Sequence, residues 1–219
     1  MKLTSSKIVM AMCVAMFTLF VFPQDSFAQL NKKQQKQLQK AKSKEYKNKI
    51  KEYQKEGWKL AGSSRTLEVA LLEHYEKCSH EGNFEFVGEV SKCNSINVCK
   101  QYAISNAQNA YASLASAATK GRVASMMDAN AITGEEMDRL IAAYEKQVSS
   151  DIGGALTESY AIIRDNGGYK EYKIFFILNE DKARNSRVKA MERSLKETKV
   201  SIETANEISK FVTEGFNVE

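Results

Sequence analysis

The chain has 219 residues, of which 43% are hydrophobic and 27% are charged, and its formal net charge is +5 at pH 7. This length and apolar content allow one globular domain with a sizeable core, and they exclude a chain that is disordered throughout. Charge is unevenly placed along it. Residues 29–59 hold eleven lysines against three glutamates, whereas residues 60–219 hold 19 Lys and Arg against 23 Asp and Glu. The sequence therefore predicts a basic arm joined to a mildly acidic domain.

The first 28 residues have the pattern of a secretory signal peptide. Lys2 and Lys7 precede an uncharged apolar run over residues 8–22, and Ser26 and Ala28 are the small residues that a signal peptidase reads. The run is shorter than the roughly 20 apolar residues of a membrane-spanning helix. We therefore expect cleavage after residue 28 and export to the periplasm, the outer membrane or the exterior, with an uncleaved anchor as the alternative. Export argues against nucleic acid as a partner, and no further transmembrane segment is expected.

Residues 29–56 are rich in lysine and glutamine, which favour a helix. A sparse apolar stripe lies on one side of its helical wheel: Leu38, Ala41, Tyr46, Ile50 and Tyr53. Such a helix can dock on a surface but cannot build a core alone. The candidate partner-binding residues are its lysines: Lys32, Lys33, Lys36, Lys40, Lys42, Lys44, Lys47, Lys49 and Lys51. We expect them to contact an acidic envelope protein or anionic lipid headgroups; a solvated helix without a partner is the alternative.

Helical periodicity predicts three helices in the domain that follows. The first covers residues 66–78, and the second covers residues 97–120 with small residues on its buried face. That face consists of Ala103, Ala107, Ala110, Leu114, Ala117 and Ala118. Thr133 and Glu136 have capping-box spacing and predict the start of a third helix over residues 134–150.

Alternating polarity predicts the strands of a small, mainly antiparallel sheet. In residues 83–90 the buried side is expected to carry Phe84, Phe86, Gly88 and Val90, and the exposed side Glu85, Val87 and Glu89. Residues 156–164 and 169–178 flank the turn sequence Asp165-Asn166-Gly167-Gly168 and predict a hairpin. Because residues 169–178 are apolar on both faces, we expect that strand to be central in the sheet.

The C-terminal region predicts further helix. Asn179 is a candidate N-cap, and a heptad-like apolar rhythm continues from Val188 through an amphipathic helix over residues 196–219. Our hypothesis is that this helix packs beside the basic arm and brings the two termini together. The alternative is that the two segments move independently.

The cysteines predict a disulfide rather than a metal or catalytic site. Export favours an oxidised pair, and the strand over residues 83–90 separates Cys78 from Cys93, so we expect a Cys93–Cys99 bond and a free Cys78. A pairing that includes Cys78 and a chain without a disulfide are the alternatives. A zinc site that uses His74, Cys78 and His80 is an alternative, but no metal or other cofactor is expected. Acid–base chemistry at Glu85 and Glu89 is a further alternative, although no catalytic motif is present and we expect no enzyme.

The order of the elements resembles a known group of proteins. The carrying residues are Lys55-Glu56-Gly57-Trp58, the strand Phe84-Glu85-Phe86-Val87-Gly88-Glu89, the alanine-rich helix, the strand over residues 169–178 and Glu180-Asp181-Lys182-Ala183. Over residues 55–195 the chain resembles an uncharacterised family of small exported Gram-negative proteins, itself similar to the twenty-kilodalton outer-membrane lipoprotein family and to the N-terminal domain of flagellar assembly protein T. The resemblance implies an α+β domain in the cell envelope and carries over no site residues. The chain lacks the lipidated cysteine of the lipoproteins.

Together these observations predict an α+β domain over residues 57–195 with helical extensions at both ends. The expected function is that of a non-enzymatic structural or interaction protein of the envelope. A periplasmic ligand-binding or hydrolytic protein with a pocket between sheet and helices is the alternative.

Overall fold

A computed structural model describes residues 32–126 and 133–198, together with Ile208, Lys210 and Val212. The predicted signal peptide and most of the predicted C-terminal helix lie outside these residues. The helices are α1 (Lys32–Lys55), α2 (Leu67–Cys78), α3 (Ile96–Met126), α4 (Gly134–Asp151) and α5 (Glu180–Thr198). The strands are β1 (Lys59–Leu60), β2 (Asn83–Cys93), β3 (Leu156–Asn166) and β4 (Tyr169–Asn179).

The four strands form one antiparallel sheet in the order β1-β3-β4-β2. Gly167 and Gly168 connect β3 to β4 with φ angles of 60° and 92°, which residues with a side chain rarely adopt. The hairpin and the central place of β4 are confirmed, and so is the α+β fold.

Helices cover both faces of the sheet because β4 is apolar on both. Tyr172, Ile174 and Phe176 pack against the small residues of α3. On the opposite face Phe175 packs with Tyr53 of α1 and with residues of α2. The sheet is therefore the middle of three layers.

The buried face of α3 differs from the predicted one beyond its first turns. Ala103 and Ala107 are buried as expected, but Ala110, Leu114, Ala117 and Ala118 are exposed. The buried stripe instead continues through Tyr111, Ala115, Thr119 and Val123. Steps of four residues drift by about 40° per step on a helix of 3.6 residues per turn. As a result, α3 leaves the sheet and packs on α4 in its second half.

The helices α4 and α5 complete the layer on the α3 side. Thr133 and Glu136 form the predicted capping box at the start of α4. Asn179 accepts a hydrogen bond from the backbone N–H of Lys182 and caps α5, as predicted. Both helix starts were visible in the sequence because capping depends on a few neighbouring residues.

The second face of β2 is more covered than predicted. Val87 is half-buried in the cluster between the sheet, α1 and α2, and Glu85 contacts the buried His74 of α2. Glu85 and Glu89 are exposed as expected, but Val87 is covered because α2 packs across this face. Phe84, which was expected on the buried side, is 41% exposed.

Candidate functional site

The C-terminal half of α1 is anchored on the domain. Ile50 and Tyr53 are buried, and Tyr46 is half-buried against α2. The Tyr46 hydroxyl donates a hydrogen bond of 3.2 Å to the backbone carbonyl of Glu68, and its ring lies 6.4 Å from that of Tyr75. The predicted apolar stripe of α1 therefore packs on the domain at these three positions.

The N-terminal half of α1 extends away from the domain. Leu38 and Ala41, which the wheel placed on the docking stripe, are exposed. Within the described part of the chain no surface covers them, so the docking stripe is not seen at these two positions.

The lysines of α1 form an unpaired cationic array. Of the nine candidates, all are exposed except the half-buried Lys49, whose ammonium lies 5.2 Å from the Tyr53 ring centre. No ion pair joins any of the nine to a carboxylate in the described part of the chain. The structure thus brings these predicted site residues together on one helix.

Seven lysines of α1 share one side of the helix, which we name the lysine face. It consists of Lys33, Lys36, Lys40, Lys44, Lys47, Lys51 and Lys55. At 100° per residue they fall within an arc of about 100°, and at 1.5 Å per residue they extend over about 33 Å. Tyr46, Ile50 and Tyr53 lie about 125° from the centre of this arc. The lysine face therefore points away from the surface to which α1 is anchored.

The hypothesis that α1 packs beside the C-terminal helix was wrong for the described residues. Ile208 and Val212 are buried in the cluster formed with α3, α4 and α5. Ile50 and Tyr53 belong to the cluster on the other face of the sheet. The sheet therefore lies between the C-terminal half of α1 and the described residues Ile208 and Val212, because each apolar stripe packs on a different face of the sheet.

The predicted pairing of Cys93 with Cys99 is the one in the structure, with Cα atoms 5.4 Å apart, and Cys78 is free. The bond connects the end of β2 to the first turn of α3. It therefore lies on the opposite side of the sheet from α1.

His74 is the buried centre of a polar cluster that includes the half-buried Cys78 and the exposed Glu85. Its Nε2 lies 2.6 Å from Glu85 Oε2 and 3.5 Å from Cys78 Sγ, and the residue has no exposed surface. In the described structure His74 Nδ1 has no hydrogen-bond partner. A catalytic Cys-His-acid triad needs the thiol and the acid on opposite ring nitrogens. Here both contact the same nitrogen, which is not the geometry of a triad.

The thiol and the phenol groups around His74 are held in their neutral forms. Burial, followed by the Glu85 carboxylate, raises the pKa of the Cys78 thiol to about 11. Burial also raises the pKa of Tyr75 to about 12 and increases that of Tyr160. A nucleophilic cysteine requires the opposite shift. The cluster therefore has the properties of packed core side chains beside a hydrogen-bonded His74–Glu85 contact.

His80 does not join this cluster. It is exposed, and its Nε2 lies 3.6 Å from Glu76 Oε1. Among the residues that the structure describes, no group of three His, Cys, Asp or Glu side chains is placed to hold a metal ion.

An open groove of about 410 Å³ lies beside the C-terminal end of α1. Its lining includes Glu56, Trp58, Glu89, Asn106, Arg164, Glu171 and Lys173. The sequence did not predict this groove because it combines residues from four parts of the chain that are distant in sequence, around positions 57, 90, 106 and 164–173.

The charged side chains of the groove, three carboxylates and two cations, are in contact with one another. Arg164 lies 3.2 Å from Glu56 and 2.7 Å from Glu171, and Lys173 lies 3.0 Å from Glu89. Burial opposes ionisation of Glu171, but hydrogen bonds from Asn166 and Arg164 outweigh it and lower the pKa of this carboxyl. The groove therefore lacks the excess charge of α1.

Trp58 forms the floor of the groove and is 5% exposed. The guanidinium of Arg164 lies 4.6 Å above its ring centre, and the indole N–H donates to Glu56 at 2.9 Å. With Arg164 over its ring and so little of it exposed, Trp58 offers no open platform for stacking a ligand.

None of the described helices is long and apolar enough to cross a bilayer. The resemblance noted from the sequence stays a prediction. No protein-family model, curated protein or solved structure matches the chain.

Proposed function

We propose that this protein is a non-enzymatic interaction module of the cell envelope that binds an anionic partner through α1. The observation that carries this proposal is the lysine array of α1, which has no ion pair among the described residues, on a helix whose C-terminal half is packed on the described domain. The envelope location rests on the signal pattern of residues 1–28 and on the resemblance to exported proteins.

The contrast between α1 and the rest of the protein supports this function. In the domain, many basic side chains lie next to carboxylates: Lys100 is 2.7 Å from Glu158, and Lys120 is 2.7 Å from Asp138. In α1, lysines three and four residues apart face one another without a carboxylate between them. Each such pair costs about 0.2–0.5 kcal/mol of helix stability, and an anionic partner would remove that cost.

The packing of the domain favours an interaction function and argues against ligand binding in a pocket between sheet and helices. The described space on the α3 face of the sheet is filled by Ala103, Ala107 and Ile174, all fully buried. On the opposite face Leu71 and Phe175 fill the equivalent space. The groove beside Trp58 is open, and its charges are paired. We therefore place function on α1.

A matched pair of charge variants tests the proposal on a heparin column. The first is K33Q/K36Q/K40Q/K44Q in the N-terminal half of α1, residues 32–44, which we call the free half. The control is K77Q/K146Q/K189Q/K196Q, which removes the same charge from exposed domain lysines with no ion pair in the described structure. We expect the α1 variant to elute at much lower salt than the wild type, and the control to elute close to it. Equal shifts for the two variants would show that net charge, and not α1, governs binding.

A second measurement uses isolated cell envelopes. The wild type and the control variant should sediment with envelopes at low salt and be released as salt rises, whereas the α1 variant should stay in solution. Sedimentation of all three proteins at every salt concentration would contradict a role for α1.

A further inference from the structure

We infer that the anionic partner of α1 is a lipid surface, along which the helix lies with its lysines among the headgroup phosphates. This inference rests on the proposed function of α1 and names the partner. It follows from the shape of the lysine face, from the charge of the domain and from the scarcity of apolar side chains on the free half of α1.

The lysine face is straight and continuous. Neighbouring lysines follow one another every three or four residues, which is about 4.5–6 Å along the helix axis. The carboxylates of α1, Glu45 and Glu52, lie more than about 100° from the centre of this face. A planar anionic surface can therefore contact the whole face without meeting a carboxylate.

The anchoring of α1 leaves this contact open. Because Tyr46, Ile50 and Tyr53 attach the opposite side of the helix to the domain, the anchored lysines Lys47 and Lys51 remain exposed. The free half then continues the same line beyond the domain. Simultaneous contact with all seven lysines requires a partner at least as long as the lysine face. A small anionic ligand is too short to make this contact.

The charge of the domain orients the molecule on such a plane. Residues 60–219 carry 23 acidic against 19 basic side chains, so an anionic surface attracts α1 and weakly repels the rest. A planar anionic partner interacts with the charges of the whole protein. A short acidic peptide would contact only a few lysines, so the charge of the domain would not orient it.

The chemistry of α1 indicates contact with headgroups and no insertion. Leu38 is the single large apolar residue that α1 exposes in its free half. Interfacial helices that insert carry a broad apolar face. Binding through α1 should therefore be reversible and strongly weakened by salt.

Co-sedimentation with synthetic vesicles tests the inference on the purified protein. We expect binding to vesicles that contain phosphatidylglycerol and no binding to phosphatidylcholine alone. Each lysine of the face should contribute roughly a fivefold change in affinity. The domain control variant K77Q/K146Q/K189Q/K196Q should bind within about twofold of the wild type.

Two paired variants test whether the helix lies flat. K33Q/K36Q removes charge at the free end of the face, and K51Q/K55Q removes it at the anchored end. A helix parallel to the surface predicts similar losses, of the order of 20-fold, for both pairs. A loss confined to K33Q/K36Q would overturn the flat orientation.

The outcomes separate this inference from the proposed function. Retention on heparin that depends on α1, together with no binding to phosphatidylglycerol vesicles, overturns the lipid surface and leaves an anionic macromolecule as the partner. If the α1 variant K33Q/K36Q/K40Q/K44Q keeps both its heparin binding and its vesicle binding, both proposals are overturned.

Discussion

Gly88 of β2 lies directly beneath the backbone of Ala103 in α3. A Cβ atom at position 88 would be 2.0 Å from the carbonyl oxygen of Ala103 and 3.0 Å from Cβ of Ala107. The helix and the strand therefore approach more closely than any other residue at this position would allow. This contact sets the distance between α3 and the sheet.

Replacing Gly88 with alanine should destabilise the protein by about 2–3 kcal/mol, because backbone rather than a flexible side chain must move. The measurement is the free energy of unfolding in urea. Gly121→Ala is the matched control, since a Cβ there meets nothing within 4 Å and the residue lies inside α3. That variant should be stabilised by about 0.5–1 kcal/mol. Equal effects of the two substitutions would contradict the close approach.

This contact shows what local sequence patterns can predict. Gly88 on the apolar side of an alternating strand and alanines four residues apart in a helix indicate that two backbones approach closely, and both signals are local. The capping box at Thr133 and the turn at Gly167 were predictable for the same reason. The direction in which α3 turns after Ala107 was not, because it depends on where α4 packs.

Arg187 of α5, in contrast, is a buried residue that the local sequence did not indicate. It is 1% exposed, donates a hydrogen bond to the Tyr111 hydroxyl, and forms a salt bridge with Glu180. Burial opposes its charge, but the hydrogen bond and charge of Glu180 outweigh burial and raise the pKa of Arg187. An arginine in a helix as polar as α5 indicates a solvated face, so the sequence contained no signal of this buried pair.

Removing one partner of this pair should be more costly than removing both. Glu180→Gln removes the carboxylate that pairs with a buried guanidinium, and we expect a loss of about 3 kcal/mol in the free energy of unfolding. Adding Arg187→Met should recover part of that loss, because the double variant no longer buries the guanidinium. A Glu180→Gln variant within about 0.5 kcal/mol of the wild type would show that the pair is not coupled.

In the candidate site too, some features could be predicted from the sequence and others could not. The lysines and the docking residues Tyr46, Ile50 and Tyr53 were visible as a helical pattern. A stripe indicates that a helix docks but not on which surface, so the choice of α2 over the C-terminal helix could not be predicted. The contact between His74 and Glu85 was also invisible, because it joins a helix to a strand face that alternation alone assigns to solvent.

Cys78 should react slowly with thiol reagents. With a pKa of about 11, only about 0.1% of the thiol is ionised at pH 8, whereas an ordinary cysteine is ionised to about a quarter. We expect its reaction with Ellman's reagent in the folded protein to be at least about 100-fold slower than that of free cysteine and to accelerate as the pH rises towards 11. Cys78→Ser gives the background rate. A rate near that of free cysteine at pH 8 would mean that the thiol beside His74 is activated.

The free half of α1 should become more helical as salt increases. Lys32, Lys36, Lys40 and Lys44 form consecutive like-charged pairs four residues apart, each costing about 0.2–0.5 kcal/mol at low ionic strength. The anchored half removes the cost of nucleation, so this repulsion and the fraying of the end decide how far the helix persists. Amide hydrogen exchange in residues 36–45 should therefore slow between about 20 mM and about 500 mM NaCl, whereas exchange in α4 should not change. In K33Q/K36Q/K40Q/K44Q the same amides should be protected at both concentrations, since glutamine keeps the helix propensity and removes the repulsion. Protection that is independent of salt in the wild type would show that the lysine face does not weaken the helix, and that an anionic surface gains nothing by neutralising it.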